Sequence, residues 1–431
     1  MQCDYFDADV CRSCTLMGTP YTEQVAAKEA RVRALLSPWP ELRWLAPFTS
    51  AESGFRNKAK LVVGGSITDP TLGILGSNGQ GIDLRECGLY EAELAATFPV
   101  LADFIARAQL TPFDVPTGRG ELKNIIISIS PSRELMIRFV LRSTEAVVRI
   151  RKHLGWLRDQ LPHVAVATVN LLPERKAVPE GREEIILTEQ EVLPMRLGSV
   201  TLYLRPQSFF QTNTPVARGL YQQARIWVDS LIDDDVQGYE HPRSISGTER
   251  PAAGSSHDVR GAGSQSHQII PLSSRTSATD ELGAPLRLWD LYCGVGGFAL
   301  HCAGPHREVF GVEISEQAIE SARLAAHELH SATPETGPIH FLAGDAHAAA
   351  RQTQGSPDVV VVNPPRRGIG KLAEWINNSP ARHLIYSSCN PVTLAKDLAN
   401  MPGFAPREVR VFDMFPQTTH TETMVLASRR N

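Results

Sequence analysis

The sequence predicts an α/β protein, with a doubly wound parallel sheet at its carboxyl end, a small α+β unit in the middle and a cysteine-bearing head. Three observations carry that reading. From Leu286 onward, short aliphatic strands alternate with helical stretches, the order that parallel sheets require. Between about residues 95 and 200, β-rich runs crowd together. Four of the seven cysteines fall in the first quarter of the chain, at Cys3, Cys11, Cys14 and Cys87. At roughly 150 residues per domain, 431 residues hold two or three units. The divisions expected are 1–94, 95–200 and 201–431.

Composition narrows the class. Hydrophobic residues make up 42% and charged residues 21%, which fits a globular chain and excludes wholesale disorder. No apolar run approaches the roughly 20 residues of a membrane span, and the acidic start lacks the basic head of a signal peptide. The expectation is a soluble, cytoplasmic protein with no membrane association and no evident obligate protein partner. The net charge of −4 gives no sign of a nucleic-acid partner.

Taken in order, the head reads Cys3-x7-Cys11-x2-Cys14, with Cys87 far downstream. Without a secretion signal these thiols are not a disulfide framework. Four thiolates suit tetrahedral zinc or an iron–sulfur cluster, and spacing does not decide between them. A helix is expected from about Thr22 to Leu36, before Pro38 and Pro40. Lys60-Leu-Val-Val-Gly-Gly reads as strand and turn, and a helix is expected from about Glu91 to Ala108. Asn124-Ile-Ile-Ile-Ser-Ile-Ser and Leu135-Met-Ile-Arg-Phe-Val-Leu flank Pro131-Ser-Arg-Glu as a hairpin, and Ala165-Val-Ala-Thr-Val and Glu184-Ile-Ile-Leu add strands.

From Arg119 to Arg158, nine basic residues face three acids, a local excess that reads either as a phosphate footprint or as a solvated face. Residues from about 237 to 285 are rich in Ser, Gly and His and lack periodicity, the pattern of a disordered insertion. Metal binding by His241, His257 and His267 is the less favoured alternative there.

Beyond the insertion, Leu286-Arg-Leu-Trp-Asp-Leu-Tyr runs as a strand into Cys293-Gly-Val-Gly-Gly-Phe, whose glycines permit a tight turn and close ligand approach. The next strand ends in Glu313, 19 residues after Gly294, where a carboxylate can accept hydrogen bonds from both ribose hydroxyls of a nucleoside. Asp345 closes the following strand and is placed to meet an adenine. The loop is not G-x-G-x-x-G and no phosphate-binding Lys follows it. S-adenosylmethionine, which has no phosphates, therefore fits better than a dinucleotide or a nucleoside triphosphate.

The strand Asp358-Val-Val-Val-Val ends in Asn363-Pro-Pro at the carboxyl edge, where doubly wound sheets bind ligands. Amino-methyltransferases usually carry an aromatic residue after the two prolines; here Arg366 follows them, which counts against amine methylation. The next strand delivers Cys389, with Asn390 as N-cap and Pro391 as first helical residue. A thiol at a helix N-terminus is expected to have a stabilised thiolate, and the reading is a nucleophile in place of a structural cysteine. Uracil needs such a nucleophile, because C5 becomes nucleophilic only after addition at C6. A base must then remove the C5 proton. His420 and Glu422 are the two candidates, and chemistry alone slightly prefers His420 at neutral pH.

These motifs, with Arg205-Pro-Gln-Ser-Phe-Phe-Gln-Thr-Asn, Asn363-Pro-Pro-Arg-Arg-Gly-Ile-Gly, Tyr386-Ser-Ser-Cys-Asn and Phe415-Pro-x-Thr-x-His-x-Glu, resemble the RNA 5-methyluridine methyltransferases. Within that family the chain is similar to the RlmC group, which methylates a uracil of 23S ribosomal RNA. The resemblance implies a Rossmann-like S-adenosylmethionine-dependent domain, and 23S ribosomal RNA as partner. It implies a [4Fe–4S] cluster on Cys3, Cys11, Cys14 and Cys87. Gln211, Tyr292, Glu313 and Asn363 fall on the family's S-adenosylmethionine positions, Cys389 on its nucleophile and Glu422 on its base. Relatives outside the group often have Asp where Asn363 stands. The RNA-binding barrel of some relatives is missing, which leaves RNA contact to the basic middle and to Arg56 and Lys58. An amino-methyltransferase and a non-catalytic RNA-binding protein are the rival classes.

Overall fold

The computed structural model describes residues 1–174, 178, 180–239, 284–353 and 355–430. Most of the insertion expected at about 237–285, with His241, His257 and His267, lies outside the described residues.

The strands, in chain order, are β1 (Arg43–Trp44), β2 (Lys58–Gly65), β3 (Pro70–Leu75), β4 (Gly81–Asp83), β5 (Leu122–Ile129), β6 (Leu135–Leu141), β7 (Val164–Leu171), β8 (Glu183–Ile186), β9 (Leu193–Leu197) and β10 (Val200–Leu204). They continue as β11 (Leu286–Leu291), β12 (Arg307–Glu313), β13 (Ile339–Ala343), β14 (Val359–Val362), β15 (His383–Ser388), β16 (Phe404–Phe412) and β17 (Glu422–Arg429). They form an eight-stranded sheet of order β1-β16-β17-β15-β14-β11-β12-β13, a seven-stranded sheet of order β4-β3-β2-β5-β6-β7-β8, and the hairpin β9–β10.

The seven-stranded sheet starts at Lys58, ahead of the division expected near residue 94. β5 and β6 pair antiparallel, as the expected hairpin. Ile125, Ile127, Ile137 and Phe139 bury one face of this sheet under the helices Thr97–Arg107 and Val147–Gln160. Alternation sends Arg138 to the opposite face. There it is fully enclosed, donating to Glu184 at 2.9 and 2.6 Å and also pairing with Glu180. Arg133, Arg142 and Arg149 pair with Glu93, Glu121 and Glu145. Of the basic run, Arg119, Arg151, Lys152 and Arg158 are exposed with no ion pair among the described residues. Much of the charge excess is therefore structural.

In the larger sheet, β14 shows why a run of four valines is a central strand. Val359 and Val361 enter the core on one face, Val360 and Val362 the core on the other, and all four are fully buried. β14 lies parallel to β11 on one side and to β15 on the other. From β11 the chain steps outward through β12 and β13, then returns to β14 on the opposite side of β11. That reversal makes the carboxyl ends of β11 and β14 the switch point at which doubly wound sheets bind ligands.

One element departs from the expected all-parallel pattern. β17 runs antiparallel, wedged between β15 and β16. Only residues 413–421 separate β16 from β17, too few for the crossover of a dozen or more residues that a parallel return needs.

The head is not a detached unit. Its helix Tyr21–Leu35 contributes Val32 to the core beneath the larger sheet, and β1 pairs parallel with β16. Cys14, Phe55 and Leu89 form a small separate core, flanked by Met1, Met17 and Cys87.

Candidate active site

The edge at the carboxyl ends of β11, β12, β14 and β15 collects the residues singled out in the sequence. After β11 the chain turns sharply: Tyr292, Gly294 and Gly296 all have positive φ, at 99°, 54° and 88°. The turn is anchored by the Tyr292 and Cys293 N–H groups, which donate to the Val312 carbonyl at 3.0 and 2.9 Å. A Cβ on Gly294 would meet nothing within 4 Å, so the loop faces open space there. Asp290, fully buried beneath the turn, accepts from the Ala299 N–H at 2.9 Å. Burial pushes its carboxyl up to about 7.

Glu313, ending β12, spans two backbone donors: Gly294 N–H at 3.3 Å to Oε2 and Ser315 N–H at 3.2 Å to Oε1. Tyr292 is half-buried and its hydroxyl is shifted upward, by burial first and then by the charge of Asp345, with Glu313 adding to it. The Asp345 carboxylate caps the helix Ala346–Gln352 by accepting from Ala348 N–H at 2.9 Å. The pairing of Leu291 with Val362 brings the ends of β11 and β14 side by side, so Asn363 neighbours Tyr292. The Asn363 amide makes no hydrogen bond among the described residues. Gln211 arrives from a separate segment. That segment is tied to the Gly54-Phe-Arg-Asn-Lys run by Asn57, whose Nδ2 donates to the Gln211 carbonyl at 3.0 Å and to Thr214 Oγ1 at 2.7 Å. Gln211 makes no hydrogen bond to Tyr292, Glu313 or Asn363.

Cys389 follows β15, half-buried, with Asn390 capping the next helix through Val392 N–H at 3.2 Å and Pro391 opening it. Here the expectation of a stabilised thiolate needs correction. Burial, then the charge of Glu422, push the Cys389 thiol up, and a hydrogen bond from the Arg366 side chain only partly offsets them.

Because β17 is antiparallel, its first residue returns to this same edge, and the pairing of Ser388 with Thr423 puts Glu422 beside the end of β15. Glu422 is 1% exposed, accepts from Ser387 Oγ at 2.6 Å, and is pushed up to about 7 by burial. His420 is exposed; its Nδ1 accepts from Arg366 at 2.8 Å, and burial and the charges of Arg366, Lys28 and Arg31 hold its pKa below the usual histidine value. Of the two candidate bases, it is Glu422 whose charge is felt at Cys389. Arg366 stands where an aromatic residue would be expected. Its charge lowers the Cys389 thiol against burial and its side chain bonds His420, which makes it part of the site. Its place directly after Asn363-Pro-Pro is the sequence signal for it.

Cys3, Cys11 and Cys87 all lie within charge range of Cys14, whose thiol is pushed up to about 11, chiefly by burial. Among the described residues, no group of three or more His, Cys, Asp or Glu side chains is arranged to hold a metal ion, and no helix is long and apolar enough to cross a membrane.

Comparison with known proteins decides the family. The chain is 42% identical over 429 residues to the 23S rRNA (uracil(747)-C(5))-methyltransferase RlmC of Shigella sonnei (strain Ss046), across 99% of each protein. The protein of that name from Escherichia coli (strain K12) matches equally, at 42% over 99% of each. The chain belongs to the RNA uracil-C5 methyltransferase family. Within it, the chain matches proteins of the RlmC group along its full length. The family model described as tRNA (Uracil-5-)-methyltransferase matches residues 277–430. The Pyrococcus abyssi tRNA (uracil-54, C5)-methyltransferase, solved with S-adenosyl-L-homocysteine, superposes with a TM-score of 0.67. It is 20% identical, covering 96% of this chain and 85% of that one, and shares the fold. The larger sheet is thus the S-adenosylmethionine-dependent methyltransferase fold, as expected, and the chain is a methyltransferase.

Proposed function

We propose that this enzyme methylates C5 of a specific uridine in 23S ribosomal RNA, with Cys389 as nucleophile and Glu422 as base. The observation that carries the reading is the convergence of Cys389 and Glu422 at the edge that also bears Tyr292, Glu313 and Asn363. An amino-methyltransferase has no use for that thiol–carboxylate pair.

The residues fit S-adenosylmethionine. In this proposal Glu313 takes the ribose hydroxyls, Tyr292 and Asn363 contact the cofactor at the strand reversal, and Gln211 adds a contact from the segment tied to Asn57. The bound cofactor supplies an electrophilic methyl group. A uracil flipped out of its stack reaches this switch point. The Cys389 thiol loses its proton to solvent, its sulfur adds to C6, and the resulting enolate carries nucleophilic character at C5. After methylation, Glu422 takes the C5 proton, the C6–S bond breaks and the aromatic ring is restored. A carboxylate near 7 is matched to that task at neutral pH. RNA is proposed to lie across the seven-stranded sheet side, near Arg56, Lys58 and the unpaired cations.

A [4Fe–4S] cluster on Cys3, Cys11, Cys14 and Cys87 is part of the proposal. It is supported by the nearness of Cys3, Cys11 and Cys87 to Cys14, and by the place of Cys14 and Cys87 against the small apolar core of Phe55 and Leu89. The four side chains are not themselves drawn into a metal-holding arrangement. Anaerobic preparations should contain iron and labile sulfide, and zinc alone would contradict the cluster.

The function is tested by incubating unmethylated 23S ribosomal RNA with labelled S-adenosylmethionine and analysing the nucleosides. The label should appear in 5-methyluridine at one position. Label in adenine or cytosine, or in no nucleoside, would refute the assignment.

A further inference from the structure

The loop of residues 413–421, between β16 and β17, leads directly into Glu422, yet little within the larger sheet holds its apex. Its internal bonds are local: Thr418 Oγ1 donates to the Phe415 carbonyl at 2.9 Å, and His420 N–H donates to Thr418 Oγ1 at 3.3 Å. Its end is held by the larger sheet's own elements, through Arg366 donating to His420 Nδ1 at 2.8 Å and Thr421 Oγ1 donating to the Phe412 carbonyl at 3.2 Å. Its start and apex are anchored by the far end of the chain. Leu16 N–H donates to the Gln417 carbonyl at 3.0 Å. Gln24 and Gln417 bond reciprocally: Gln24 Nε2 donates to Gln417 Oε1 at 3.0 Å, and Gln417 N–H donates to Gln24 Oε1 at 3.0 Å. Lys28 Nζ reaches Asp413 Oδ1 at 2.6 Å and the Phe415 carbonyl at 3.0 Å, and Arg31 reaches the Thr419 carbonyl at 3.4 Å.

Gln24 and Gln417 are each 1% exposed, where an unmade hydrogen bond is costly. Gln417 also has φ of 66°, a left-handed conformation that a side-chain-bearing residue holds only when its surroundings impose it. The imposing groups are Gln24 and Leu16. Gln24 is itself set by the head, since its Nε2 also donates to the Thr19 carbonyl at 2.9 Å. Cys14 lies two residues before Leu16, so order in the cysteine segment passes straight into the loop.

We propose that Gln24 is a positioning residue for the reaction, through which the cysteine-bearing head sets the loop that delivers Glu422. The inference rests on Glu422 being the base. Its consequence is selective. Cys389 is carried by β15 and the Asn390 cap, which the loop does not touch, whereas Glu422, paired with Phe412 and bonded to Ser387, is the residue on which the loop ends. Loosening Gln417 should therefore slow the elimination step more than the addition step.

The test is a single-turnover experiment with uracil-containing RNA and S-adenosylmethionine, following formation and decay of the covalent RNA–protein adduct. In Gln24→Ala the ratio of decay to formation should fall by about tenfold to a hundredfold, the scale expected for a displacement near 1 Å. Amide exchange should rise within residues 413–421 and stay unchanged in β14. A global loss of stability would lower both rates together and leave the ratio as in wild type, and that result overturns the proposal. If Gln24→Ala does not fold, Gln24→Asn, polar but one methylene too short, is measured with the same two outcomes. Glu422→Gln is run alongside. Failure of that variant to trap an adduct would sink the reading of the site itself, whereas a trapped adduct with an unchanged ratio in Gln24→Ala would sink only the role of Gln24.

Discussion

A carboxylate that must accept a carbon-bound proton at neutral pH benefits from burial, and the same burial costs stability. Glu422 is raised from 4.5 to about 7 with a single bond, from Ser387. Its folded-state pKa lies above the unfolded value, so folding binds a proton more tightly. Stability from this group is intact below about 4.5, falls as pH rises through the interval, and stays lowered above 7. Glu422→Gln keeps the acceptor for Ser387 and removes the charge. It should stabilise the fold at about pH 8 by as much as roughly 3 kcal/mol, at about 1.4 kcal/mol per pKa unit, with little change at about pH 4. Thermal melts at the two pH values check this. Turnover needs the ionised form, so the elimination rate should fall about tenfold per pH unit below 7. Cys389→Ala should abolish methyl transfer while calorimetry still finds S-adenosylmethionine bound.

At the scale of elements, the antiparallel β17 decides which residues meet. Had it run parallel, as simple strand–helix alternation suggests, Glu422 would lie at the opposite edge from Cys389. The clue was the short 413–421 loop, which excludes a crossover, but loop length had to be weighed against a regular pattern. The buried Lys28–Asp413 pair, at 2.6 Å, ties helix Tyr21–Leu35 to this loop. Lys28→Met strands a buried carboxylate and should cost about 3–5 kcal/mol in urea unfolding. Adding Asp413→Asn should recover part of that loss. An undiminished loss in the double variant would mean that packing of the lysine stem, not charge, is what the pair contributes.

Over the whole molecule, what was legible in the sequence was what local patterns record. The valine run of β14, the glycine turn after β11, Asn363-Pro-Pro and Cys389 each sit where their neighbours in sequence imply. Contacts between distant segments were not legible. Arg138 reads as surface charge in the sequence, whereas in the fold Glu180 and Glu184 enclose it. The pairing of Gln24 with Gln417 spans 393 residues and leaves no local trace. The net charge of −4 likewise averages over a surface on which Arg119, Arg151, Lys152 and Arg158 have no ion-pair partner among the described residues. The central claim is that the chain forms and then releases a covalent bond to uracil, and one measurement reaches it directly. Glu422→Gln, incubated with unmethylated 23S ribosomal RNA and S-adenosylmethionine, should yield a stable RNA–protein adduct, with the 5-methylated uracil mapped by peptide mass spectrometry to Cys389. Methylated RNA released freely by that variant, or an adduct on another residue, would contradict the account.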